Sequence, residues 1–392
     1  VPGVDTKFFS QWFAQQTGGA FSFFDAITGG SFLNMSILAL NINPYITSSI
    51  IMQLLTIAIP KLEEMQRDGE DGRKKMVGIT RYVTVALALI QSTAMAIGFG
   101  RQGYLIEFNA LNVITTITAL TAGSAFLMWV GERITEKGIG NGISIVLVIN
   151  IISRLPQDLS NLFEQFVFGK APATAILAVV IIFAIIIAMV VLVIILNDGV
   201  RKIPVQYAKK MQGRKMVGGQ TSNIPLKVNT SGVISIIFAI SLLQFPQQIG
   251  MFIPNKGATF TKVTDVLNMT HPIGAIIYII LIFFFTYFYT SIVINPNEIA
   301  MNMKKNGGFI PGIRPGQPTS AYITRVVNRV TLVGAVCYAV LAMVPVVLQW
   351  IFKVNVGFGG TTLIIVVGVC LDIVKALESQ LLMRHYKGFL ND

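Results

Sequence analysis

GGAFSFFDAITGGSFLNMSILALNINPYITSSIIMQLL, residues 18 to 55, has the composition of a membrane span without its continuity. Pro44 lacks a backbone donor and stands inside the apolar run between 36 and 59, with Asn41 and Asn43 beside it. One continuous helix there would leave polar backbone groups unpaired in hydrocarbon, so a break is expected near 41–46. Ahead of it, Gly18–Gly19 and Gly29–Gly30 bracket a short aromatic piece carrying one charge, Asp25. That piece is too short to cross a bilayer. Its composition suits a re-entrant element inside a helix bundle and an interfacial helix on the outer surface equally.

The rest of the chain puts this segment in a membrane. Of its 392 residues 53% are hydrophobic and only 12% charged, and the mean hydropathy is +0.68, outside the range of soluble domains. Runs at 36–59, 80–100, 109–131, 143–155, 173–197, 232–253, 273–294, 331–352 and 361–381 approach the ~20 apolar residues that a crossing needs, nine spans in all. The run 143–155 is short, and Asp372, Lys375 and Glu378 enter the last one. Asp372 and Lys375, one turn apart, read either as a self-paired charge near a helix end or as a coupling site.

Basic residues set the orientation. With 60–79 on the cytoplasmic side, alternation brings 132–142, 198–231, 295–330 and the C-terminus to the same side. Together with the adjoining helix ends these hold 23 of the 30 lysines and arginines. Val1 then lies outside, which agrees with one further helix upstream.

Several chemistries lack their residues. Gly169–Lys170 has Glu164 where a phosphate-binding loop needs its first glycine. His271 and His385 fit no metal-binding spacing, Cys337 and Cys370 lie in apolar runs, and no nucleophile stands near a base. Neither an enzyme nor a cofactor or metal site is expected. Two classes remain: a passive channel, and an ion-coupled secondary transporter with a broken helix at 41–46.

Six blocks in a single register decide between them: ALNINPYITSSIIMQLL (39–55), DGEDGRKK (68–75), GERITEKGIGNGISI (131–145), YAKKMQGRK (207–215), IPLKVNTSGVI (224–234) and PGIRPG (311–316). Together they resemble the SecY family, channel subunits of the bacterial Sec translocon in the cytoplasmic membrane. The resemblance implies an all-α polytopic fold of ten helices in two pseudo-symmetric halves. Here these would be residues 1–155, with helices two to five, and 156–392, with helices six to ten, so that nine spans are present. It implies a channel that passes unfolded secretory polypeptides and releases transmembrane segments sideways into lipid.

The same resemblance assigns residues. An apolar pore ring would comprise Ile42, Ile46, Leu147, Ile151, Ile237 and Ile365. Such a constriction dewets, excluding ions while giving a moving chain no specific grip. The plug would be about 18–33, including Phe21, Phe23, Phe24, Asp25, Ile27, Gly29 and Gly30. A lateral gate for signal peptides would carry Thr47, Ser48 and Gln53 facing Ser235, Ser241 and Gln244, which could hydrogen-bond across it. Arg201, Lys202, Lys209, Lys210, Arg214, Lys215 and Arg314 would dock the SecA ATPase motor or ribosomal RNA phosphates of a ribosome delivering a nascent chain. SecE and SecG would be companion subunits.

Overall fold

Pro44, which forbids a continuous span, falls in the first turn of helix α1 (Asn43–Ala58), where a missing N–H costs nothing. Residues 28–42 approach it as successive turns, and Met35 and Asn41 adopt left-handed angles (φ +43° and +49°). The apolar run 36–59 is therefore a helix of 16 residues preceded by folded turns. Ile59 is extended, as the residue before a proline prefers, and Pro60 starts α2 (Pro60–Arg67). The chain bends by 108° between the two helices.

The computed structural model describes residues 1–2, 4, 25, 28–101, 103, 105–166, 172–207, 210–212, 215–217, 221–230, 232–250, 258–269, 271–352 and 360–388. Helices α3 (Gly69–Arg101), α4 (Ala110–Lys137) and α5 (Gly142–Phe166) complete a first group. A second comprises α6 (Pro172–Asp198), α7 (Ile234–Gly250), α8 (Ala258–Val266), α9 (Pro272–Val293), α10 (Pro296–Lys305), α11 (Gln317–Phe352) and α12 (Gly360–Gly388).

Caps define several starts. The Asn109 side chain accepts from Ala110 N–H at α4, His271 Nδ1 accepts from Ile273 N–H at α9, and Asn295 accepts from Glu298 N–H at α10. Pro272 and Pro296 occupy the first turns that follow the last two caps.

Among the described residues, six helical stretches are long and apolar enough to cross a membrane, or seven if α1 and α2 form one broken span. The expected runs at 232–253 and 361–381 do form helices, α7 and α12. The apolar part of α7 is short (Ile234–Leu243), and α12 carries Asp372, Lys375 and Glu378 along its length. Helix α6 leaves Ile176, Leu177, Val180, Phe183, Val191 and Ile195 exposed, the signature of a surface meant for lipid.

Within the first group α3 packs on α1 and α4, and α4 on α5. Polar contacts add to this packing: Ser92 and Thr121 hydroxyls share a 2.9 Å hydrogen bond between α3 and α4, where a small side chain also permits close approach. In the second group α7 and α11 flank α9, while α6 and α11 pack on α12. The groups meet where α5 lies against α12, with a smaller contact of α5 on α6. Ile50 of α1 also packs against the second group's core of Ile236, Ala239, Tyr278, Ile282 and Leu363.

Residues 198–231 contain strands that their basic composition does not advertise. β1 (Val200–Tyr207) pairs antiparallel with β4 (Thr221–Lys227), from Val200 opposite Lys227 to Gln206 opposite Thr221, while β2 (Lys210–Gln212) and β3 (Lys215–Val217) form a second, short ladder. On its other edge β1 pairs with β5 (Gly308–Phe309), Gln206 opposite Phe309 and Tyr207 opposite Gly308. The order β4-β1-β5 joins two basic loops about 100 residues apart.

Candidate functional site

The turn-rich segment before α1 is held by residues that allow close approach. A Cβ on Gly123 of α4 would stand 2.1 Å from the Ile37 carbonyl oxygen, and one on Gly29 (φ +64°) would stand 2.8 Å from the Asn150 carbonyl oxygen and from Ser153 Oγ on α5. Any larger side chain at either position would push the segment off its helix. Asn41 then links three elements. Its carbonyl accepts from Ser124 Oγ at 2.9 Å on α4, and its Oδ1 accepts from Asn150 Nδ2 at 3.1 Å on α5. Asparagine tolerates the left-handed angle better than most residues and also supplies the acceptor.

Asp25 is wholly buried, and Arg154 Nη1 of α5 pairs with its Oδ2. Its Oδ1 accepts from Leu33 N–H at 2.9 Å, and its carbonyl accepts from Gly30 N–H at 3.0 Å and Thr28 Oγ1 at 3.1 Å. The same guanidinium reaches Asp158, one turn on, with Nε 3.4 Å from Oδ1. Asn150, Ser153, Arg154 and Asp158 follow helical spacing and share one side of α5. Reading the sequence singled out Asp25 and gave Arg154 no part in a site. The available signal was an arginine four residues before an aspartate at the end of an apolar run, since an ionised group at that depth requires a partner.

Ile151 on α5 and Ile365 on α12 are buried in one cluster with Val148 and Val369, and Ile237 of α7 packs against it. Ile42 belongs to a neighbouring cluster with Ile143 and Val146, against which Ile46 packs. Leu147 is buried on α5, one turn before Ile151. Three of the six expected ring residues thus converge where the two helix groups meet.

The polar residues expected to face one another across α1 and α7 do not all do so. Thr47 Oγ1 donates within its own helix to the Asn43 carbonyl, and Ser48 Oγ donates to the Thr80 carbonyl of α3, at 3.0 and 2.9 Å. For Thr47 the carbonyl one turn back is the acceptor at hand. Ser235 is buried in the first turn of α7, Ser241 and Gln53 are half-buried, and Gln244 lies in α7. On the α1 side, Ile50 packs into the apolar core to which α7 contributes Ile236, Ala239 and Leu243.

Lys375 differs from its self-paired reading. Its Nζ lies 2.8 Å from Asp198 Oδ1 at the end of α6, because on an exposed turn a long side chain reaches a neighbouring helix end as readily as Asp372. The pair ties α12 to α6, while Asp372 lines a cleft of about 520 Å³ with Asn197, Lys227, Asn229 and Lys375.

Arg201 and Lys202 are exposed on β1, whose Ile203 and Val205 are buried. Arg314 is exposed too, on a loop whose Ile310 and Ile313 pack into the cluster of Ile203, Val205, Leu226, Met303, Ile323 and Val327. Gly312 and Gly316 take left-handed angles on either side of it (φ +82° and +109°), and the Arg314 carbonyl accepts from Thr319 Oγ1 at 2.8 Å. Lys210 and Lys215 stand on β2 and β3. Lys209 and Arg214 lie outside the described residues, as do Phe21, Phe23, Phe24 and Ile27.

Comparison with known proteins places this geometry. A family model described as SecY matches residues 36–374. The protein translocase subunit SecY of Halalkalibacterium halodurans is 43% identical over 398 residues, covering all of this chain and 92% of that protein. That of Streptomyces galbus is 42% identical over 412 residues, with 100% and 92% covered. A solved protein-conducting channel superposes with a TM-score of 0.60 at 20% identity over 91% of this chain and 84% of its own. A structure concerning the SecY plug domain, which stabilises the closed state and maintains a membrane seal, gives 0.59 at 20% identity over 88% and 82%. Sec61 in a canine ribosome–channel complex gives 0.56 at 18% over 91% and 84%.

Proposed function

The chain belongs to the SecY family and is a protein-conducting channel subunit of the translocase in the bacterial membrane; from that premise we propose how its residues divide the task. Ile151, Ile237 and Ile365, with Ile42, Ile46 and Leu147, form the constriction through which an unfolded chain passes. The observation that carries this reading is the buried apolar cluster to which α5, α7 and α12 each contribute at the junction of the two helix groups. Aliphatic side chains close on whatever occupies the gap and offer it no hydrogen bond, so a chain of any sequence slides while hydrated ions are kept out by dewetting.

The segment about 18–33 is the plug, and its docking on α5 and α4 supports a closed state. Separation of α1 from α7 opens the side toward lipid for signal peptides and transmembrane segments. Ile50 belongs to the apolar packing on that side, and a hydrophobic signal helix can take its place against the same core.

The driving force must come from outside the channel. Arg201, Lys202, Lys209, Lys210, Arg214, Lys215 and Arg314 form a basic platform on the cytoplasmic side for ribosomal RNA phosphates or for SecA, with SecE and SecG as companion subunits. The shared sheet supports a single docking surface, because β1 and β5 fix the two loops relative to one another.

Photocrosslinking tests the path. With a precursor arrested midway, a probe residue at Ile151, Ile237 or Ile365 is expected to label the chain, and one at Ile282, buried inside the second group, is not. Labelling from Ile282 with silence at the other three would move the path elsewhere.

A further inference from the structure

Arg154, near the end of the apolar part of α5, stands between two carboxylates, Asp25 of the segment before α1 and Asp158 of α5 itself. We infer that the Arg154–Asp25 pair is a latch that sets how strong a signal sequence must be to open the channel, and that Asp158 takes over the arginine when Asp25 leaves. This inference rests on reading residues about 18–33 as the plug.

The closed side of the latch is fully built. Asp25 is wholly buried, paired with Arg154, and bound through Oδ1 to Leu33 N–H at 2.9 Å. Its carbonyl takes the Gly30 N–H and the Thr28 hydroxyl. One side chain thereby ties Asp25 to residues 28–33 and to α5. Gly29 meets Asn150 and Ser153 of the same helix within one turn of Arg154, so ion pair and backbone contact make and break together.

Opening such a pair ordinarily strands a charge, and a buried charge without a partner is strongly unfavourable. A latch with no second partner would hold the channel shut permanently. Asp158 removes that obstacle: it belongs to α5 itself and already lies 3.4 Å from Arg154 Nε. When the plug departs, Asp25 enters water and Arg154 keeps a carboxylate. With Asp25 docked two carboxylates share the one guanidinium, and after it leaves Arg154 and Asp158 balance each other on α5.

Opposite signs for the two aspartates follow. Asp25→Asn weakens the closed state, and Asp158→Asn raises the cost of opening.

The test uses the complete translocase in vesicles, comparing translocation of one precursor bearing an intact signal sequence with the same precursor bearing a defective one, alongside resting ion conductance. Asp25→Asn is expected to raise the defective-to-intact ratio about tenfold, less than stranding a buried charge would, because Arg154 keeps Asp158. Arg154→Gln should raise it as well, and the double variant should not exceed the larger single effect, because both remove one interaction. Asp158→Asn should lower the ratio below the parent.

If Asp25→Asn and Arg154→Gln leave the ratio unchanged while deletion of Phe21 to Thr28 raises it, the latch is wrong and the plug reading stands. If that deletion changes neither ratio nor conductance, the plug reading itself fails. If Asp158→Asn loosens the channel like the other two, Asp158 is a brace and the exchange is overturned. Asp25→Asn removes no volume, so it decides the matter even where Arg154→Gln fails to accumulate in the membrane.

Discussion

At the scale of single residues, Asn41 shows how one position answers two demands. The chain must turn left-handed before Pro44 to start α1, and the turn is buried, so its polar groups need partners. Asparagine meets both. Asn41→Gly keeps the backbone angle and loses the acceptor for Asn150 Nδ2, a cost of about 1 kcal/mol. Asn41→Ala loses the acceptor and adds the strain of a left-handed angle, about 1–2 kcal/mol more. Thermal unfolding of the purified protein in detergent should therefore rank parent above Gly above Ala; equal midpoints for Gly and Ala would show that the backbone angle is not under load. Pro44 announced the break in the sequence because a residue without an N–H is tolerated in the first turn of a helix and not in its interior. Arg154 announced nothing comparable, since its partner Asp25 lies 129 residues away and no local pattern links them. Lys375 misled for a related reason: spacing along α12 makes Asp372 reachable, but only the packing of α6 shows that Asp198 competes for it.

At the scale of elements, the basic loops were legible as loops and as charge, and illegible as a sheet. The alternation that marks β1 covers only a few residues, and its partners Thr221–Lys227 and Gly308–Phe309 lie at different separations along the chain. Pairing turns a flexible loop into a fixed support for Arg314, whose guanidinium is then presented with less entropy to lose on binding. Gly308 is the joint, since a Cβ there would come 2.9 Å from Tyr207 Cε1. Gly308→Val should unseat β5 and impair motor-driven translocation as Arg314→Glu does, each by about tenfold, the loss of a charged contact worth ~1.4 kcal/mol or more. Motor binding measured at two salt concentrations separates them. Arg314→Glu alters the charge and should flatten the salt dependence, whereas Gly308→Val should weaken binding through position. Translocation at the parent rate by Arg314→Glu would reduce the loop to a spacer that sets topology.

For the whole molecule, the two helix groups meet through α5 and α12 and, at the front, through α1 and the core behind α7. Apolar clusters meet at both places, and such surfaces part and close again without directional bonds to re-form, as a channel that opens and reseals requires. The two groups follow chain order, and the expected boundary at 155/156 falls inside α5 (Gly142–Phe166); the place where they touch was not legible, because it depends on which apolar residues of equivalent composition face inward. Ile151, Ile237 and Ile365 look no different from their neighbours in the sequence, and only their convergence from three helices distinguishes them. That convergence makes the seal testable without emptying the core. Ile237→Asn keeps much of the side-chain volume and adds hydrogen-bonding groups that hold water in the gap, which should defeat dewetting. Ile237 is only partly buried, so the substitution costs stability modestly, on the order of 1–2 kcal/mol. Resting conductance across planar bilayers should rise severalfold for Ile237→Asn and further for Ile237→Asn with Ile365→Asn, while Ile282→Asn, inside the second group's core, should lower thermal stability without opening a leak. A resting conductance equal to the parent's in the double variant, with its unfolding midpoint near the parent's, would exclude the α5–α7–α12 cluster from the seal and leave Ile42 and Ile46 to form it.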